Sequence, residues 1–79
     1  MDLSKLYAFM DEKKITAHAK MTIQLIMTKP VKVTPEVFAN DAEMTTMARH
    51  GLIKLTPAAP GVKTLIVATN YAKRIAAGE

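Results

Sequence analysis

Two short runs rich in β-forming residues, Leu52 to Thr56 and Val62 to Ala68, are split by Pro57, Pro60 and Gly61. That punctuation constrains the chain more than any other feature. Proline cannot donate to a strand ladder and glycine tolerates turn geometry, so the two runs read as the strands of a hairpin closed by a stiff loop. Ahead of the hairpin, Asn40 is followed three residues later by Glu43. This is the spacing at which a capping side chain and a returning carboxylate satisfy the free amides of a new helix. A helix is expected to begin near Asp41. Gly51, directly after Arg49 and His50, supplies the left-handed residue and the C-terminal cations with which helices commonly end. Beyond the hairpin, Thr69 is placed to cap a last helix, Asn70 to Ala77.

The N-terminal half reads as helices with one short extended piece. Asp2 is placed to cap a first helix in which Leu3, Leu6, Tyr7 and Met10 follow the spacing of one buried stripe, with Lys13 and Lys14 at its end. Thr16 is placed to cap a second helix that runs to about Lys29, since Pro30 forbids its continuation. Ala19, Ile23, Ile26 and Met27 share one face of it, while Met21 and Leu25 lie well round the cylinder. Such a helix is expected to be central, with the N-terminal helix covering its second side. Val31 to Val33 is expected to add a third strand beside the hairpin. Thr34-Pro35-Glu36 is a helix start, with proline at the first helical position and an acid in the first turn. Val37 and Phe38 are the core anchors of that short helix.

At roughly 100° per residue, Met44, Met47 and Ala48 fall on one face of the helix before Gly51, and Ala42, Thr45, Thr46 and Arg49 on the other. The methionine face is expected to be buried and the Thr/Arg face to look outward. In this order of parts the chain resembles the C-terminal half of a winged helix-turn-helix domain. The phrase ARHGLIKLTP…VKTLIVATNYAKRIAAG is similar to the recognition helix, wing and closing helix of MarR-type regulators. The resemblance implies an α+β, mostly helical, winged-helix-like fold, with an added N-terminal helix, a helical core, a β-hairpin wing and a C-terminal helix. It implies that Ala42 to His50 enters the DNA major groove and that the wing lies around Thr56 to Gly61. One departure is the segment before the recognition helix, since only Thr34 to Ala39 stand between Val33 and Asn40. This shortened layout also resembles small phage-encoded proteins that bind the host transcription machinery.

Composition narrows the functional classes. At 79 residues the chain is read as a single domain, close to the lower size at which a hydrophobic core suffices. Without cysteine it has no disulfide, no thiolate nucleophile and no Cys-based zinc site. A formal charge of +4, from 11 basic and seven acidic residues, leans toward an anionic partner. No apolar run approaches the roughly 20 residues of a membrane span, and the acidic start argues against a signal peptide. A cytoplasmic protein is the default expectation. Neither His18 nor His50 has a second ligand at metal-binding spacing, and the three glycines form no phosphate loop. No enzymatic activity, cofactor or metal is expected.

Threonine reaches phosphate or a thymine methyl, and arginine grips guanine or phosphate, so Thr45, Thr46 and Arg49 are the candidate groove readers. Lys32, Lys54, Lys63, Lys73 and Arg74 are candidates for contacts to the DNA backbone. A solvated polar face is the competing account of the first three. The hairpin tip, Pro57 to Gly61, carries no charge, whereas a DNA-contacting wing usually offers a cation there. The expected function is a winged-helix regulator of transcription that binds double-stranded DNA, with a homodimer as its expected form. The rival is a degenerate winged helix that docks on a protein of the transcription machinery and inhibits or modulates RNA polymerase.

Overall fold

A computed structural model describes residues 2–57 and 64–79. Its elements run α1 (Ser4–Glu12), α2 (Ala17–Thr28), β1 (Val31–Val33), α3 (Pro35–Asn40), α4 (Ala42–Arg49), β2 (Ile53–Pro57), β3 (Thr64–Ala68) and α5 (Asn70–Ala77). The protein is therefore α+β and mostly helical, as expected.

Local chemistry explains most boundaries. The cap position of α1 is Leu3, not Asp2 as expected; Asp2 supports the helix start from the residue before it, Oδ1 accepting from the Ser4 amide at 2.9 Å. Thr34 Oγ1 accepts from Val37 N at 3.2 Å, and Pro35 occupies the first helical position of α3. Between α4 and β2 the chain reverses through Gly51 at φ +78°, where Leu52 N reaches back to Met47 O at 3.0 Å. Thr69 Oγ1 accepts from Ala72 N at 3.1 Å to cap α5, and its proton goes to Gly51 O at 2.5 Å. A single hydroxyl thus ties the start of α5 to the turn that ends α4.

The three strands form one antiparallel sheet in the order β1-β3-β2. Val31 lies opposite Ile66 and Lys32 opposite Leu65, while Lys54 pairs with Val67, Leu55 with Ile66 and Thr56 with Leu65. Since successive residues alternate between faces, Ile53, Leu55, Ile66, Val31 and Val33 share one side, and Lys32, Lys54, Thr56, Leu65 and Val67 share the other. The first side meets the helices. Ile53 and Ile66 are buried there in one core with Leu6, Met10, Ile23, Met47 and Leu52. Each such side chain contributes about 1.5–3 kcal/mol through its removal from water.

Three further expectations need correction. The cap of α4 is Asp41, whose Oδ1 accepts from Met44 N at 3.0 Å. Asn40 is still the last residue of α3, so it cannot cap the next helix. Val37 is no core anchor, being 56% exposed; its neighbour Phe38 alone packs against the core. The N-terminal helix does not cover the far side of α2 either. It packs chiefly on α5, with Phe9 meeting Tyr71 edge-on at 6.0 Å, and it leaves Met21 66% and Leu25 64% exposed.

Candidate nucleic-acid interface

Helix α4 is seated by Met47, which is fully buried, with Met44 and Ala48 half-buried beside it. The opposite face is less open than its pattern predicts. Thr45 Oγ1 donates to Asp41 O at 3.0 Å, and Thr46 Oγ1 donates to Ala42 O at 2.7 Å. Both hydroxyl protons are thus committed to the helix's own carbonyls, leaving only acceptor capacity for a ligand. Both threonines are half-buried, and Arg49 alone of the three candidate groove readers is exposed. Thr46 borders a shallow cleft of about 120 Å³ between α4 and the Lys14 to Thr16 turn.

The acid in the first turn of α4 is occupied as well. Glu43 does not return to cap its own helix, because its carboxylate accepts from Thr16 Oγ1 at 2.5 Å and meets His18 Nδ1 at 2.8 Å. The Thr16 hydroxyl first, and His18 second, hold the Glu43 carboxyl below its ordinary pKa. The same contact explains why Thr16 makes no side-chain cap to α2. In sequence His18 has no metal partner and nothing marks its tie to Glu43, which leaves the ring largely exposed. The link spans 25 residues of sequence, and no local signal marks it.

The cations lie elsewhere. Segments α3 and α4 with their caps carry Glu36, Asp41 and Glu43 against Arg49, the only Lys or Arg there. Among the described residues no strand contains an acid. Lys32 and Lys54, both exposed, stand on the outward face of the sheet with half-buried Leu65 and Val67 between them. At one end of β3, Val67 borders a hollow of about 200 Å³ together with Pro30, Lys29 and Lys73. The structure therefore sets Lys32 and Lys54 on one face of the sheet and Lys29, which reads in sequence only as the end of a helix, with Lys73 at a hollow that Val67 also borders. The sheet separates the Lys32 and Lys54 face from the core in which Met47 is buried. Arg74 is exposed on α5. Lys63 and the expected uncharged hairpin tip lie outside the described residues, apart from Pro57, which pairs with Thr64 at the end of β2.

Among the described residues, no group of three or more His, Asp or Glu is placed to hold a metal ion. No helix among them is long and apolar enough to cross a membrane. Comparison with protein-family models, with curated proteins and with solved structures gives no match.

Proposed function

We propose that the protein is a small winged-helix domain that binds double-stranded DNA and thereby regulates transcription. The observation that carries this reading is the acid-free sheet, with Lys32 and Lys54 on its outward face and Lys29 and Lys73 at one end of it. Clustered lysines on one surface are the electrostatic footprint of phosphate binding. The order α2, β1, α3, α4, β2, β3, α5, with β3 central in the sheet, supports the winged-helix assignment. In this reading the sheet lysines contact phosphates, and Arg49, which lies across the core from them on α4, is a separate candidate for groove contact. Thr45 and Thr46 offer a groove little beyond methyl groups and acceptor lone pairs.

The test is fluorescence anisotropy with random duplex DNA at low and physiological salt. Affinity should fall steeply with salt, and Lys32→Ala with Lys54→Ala should lower the slope of log affinity against log salt by about two. Arg49→Ala should weaken binding, whereas Thr45→Ala should change it little. Absence of binding at low salt sinks the reading.

A second reading has its own observation. The surface of α3 and α4 is acid-rich, exposes Val37 and turns its threonine hydroxyls inward. Such a surface suits docking on a protein of the transcription machinery better than on a polyanion. That complex should survive substitution of Thr45, Thr46 and Arg49, whereas DNA binding through Arg49 should not.

A further inference from the structure

The outward side of α2 is unusual on a chain in which 23% of residues are charged. Ala17, Met21, Gln24, Leu25 and Thr28 point away from the buried Ala19, Ile23 and Ile26, and none carries a formal charge. The one lysine inside the helix, Lys20, is drawn sideways to Asp11 at 2.7 Å and lies over the Tyr7 ring at 5.7 Å. What remains is an uncharged strip about 18 Å long, with two large aliphatic side chains exposed at its middle. Nothing among the described residues covers it.

We infer that this strip is the contact between two copies of the chain, with their α2 helices antiparallel about a twofold axis. Charge points to a second copy. The N-terminal end of the strip is flanked by Glu43, which Thr16 and His18 hold there, and the C-terminal end by Lys29. Antiparallel pairing sets Lys29 beside Glu43 of the partner subunit, and symmetry makes the pair twice. A parallel arrangement sets like charge against like. Shape agrees with charge. A hollow of about 330 Å³, bordered by Leu3, Gln24, Met27 and Thr28, opens beside the C-terminal half of the strip. In the antiparallel register centred between Thr22 and Ile23, Met21 of the partner subunit lies opposite Gln24 and enters that hollow. Methionine's unbranched, polarisable side chain adapts to such a space. One helix pair covers less than the roughly 1,200 Å² of a standard interface, so the dimer dissociates in the micromolar range. The inference is independent of DNA.

Analytical ultracentrifugation of the full chain from about 1 to 500 µM tests it, a range that brackets micromolar dissociation. Wild type should pass from monomer to dimer across this range. Met21→Lys with Leu25→Lys should stay monomeric with an unchanged circular-dichroism spectrum, since both positions are exposed and contribute little to folding. Lys29→Glu should weaken the dimer about tenfold, the loss of one charge pair on each side of the axis. Because the chain has no cysteine, Ala17→Cys and Thr28→Cys can be mixed as single variants. A mixed disulfide between the two supports the antiparallel register, and like-with-like disulfides overturn it. A monomer at every concentration overturns the proposal and leaves the strip to a different protein. A dimer that survives the double lysine variant overturns it too.

Discussion

Helix α4 and the sheet each turn one face to the core and one to water, yet their outward faces are chemically unlike. On α4 the polar groups other than Arg49 are already engaged. Asp41 caps, Glu43 binds Thr16 and His18, and both threonine hydroxyls return to backbone carbonyls. On the sheet, Lys32 and Lys54 are exposed, and neither forms an ion pair among the described residues. Periodicity finds an outward face in both cases. Whether its polar atoms are available to a ligand depends on their partners, and those are set by tertiary contacts.

The first prediction probes what holds the two elements. Met47→Ala on α4 and Ile66→Ala on β3 should each cost about 2–5 kcal/mol in urea denaturation, since both side chains are fully buried. If Met47→Ala costs less than the loss of a single cap, α4 is held by its polar ties and the comparison breaks. Next comes Gly51→Ala, expected to cost about 1–2 kcal/mol because φ is +78° there. The nearest atom to an added Cβ is Tyr71 Cδ2 at 3.6 Å, an ordinary contact. The loss is therefore conformational, and Gly51→Asn should cost less than Gly51→Ala. Asp41→Ala should cost about 1 kcal/mol, and Asn40→Ala no more than about 0.5, which separates the true cap from its neighbour.

The smallest effect is expected at Glu43. Its folded pKa is depressed, so its stabilising contribution is present above the ordinary carboxylate pKa and is lost as pH falls through the lower folded value. Glu43→Gln should therefore melt slightly lower than wild type at neutral pH, and the gap should close in acid. Equal melting temperatures at neutral pH show that the Thr16–Glu43–His18 link contributes nothing to stability. In that case the outward face of α4 is held by its cap and its back-bonded threonines alone.

Features decided within a few residues were legible in the sequence. Thr34-Pro35, Gly51 and Thr69 mark their boundaries because capping and left-handed turns are local chemistry. The third strand, Val31 to Val33, was legible from its alternation and from the proline before it. Asn40 misled because two good capping residues stand side by side and α3 extends one residue further than its start suggests. Met21 and Leu25 misled for a longer-range reason. A second apolar stripe on a helix reads as a buried face, and nothing in the spacing says whether α1 covers it or leaves it open. The hydrophobic side of α5, with Ala72, Ile75 and Ala76, takes part in the core that α1 also enters. At the candidate site the residue types were legible and their availability was not. Lys29 escaped notice because its place beside Val67 exists only once β1 and β3 pair.

The strand order has a consequence for synthesis. Neither β1 nor β2 hydrogen-bonds to the other; both bond only to β3, the last strand to be made. A ribosome that has delivered everything through Pro57 has delivered two strands with no ladder to join. The sheet, and with it the seat of Ile53 and Val33, waits for about ten further residues to clear the exit tunnel before either ladder can pair. Until that moment the nascent chain is a set of helices without a floor, and a ribosome stalled just short of β3 should leave it sensitive to proteases that the released protein resists.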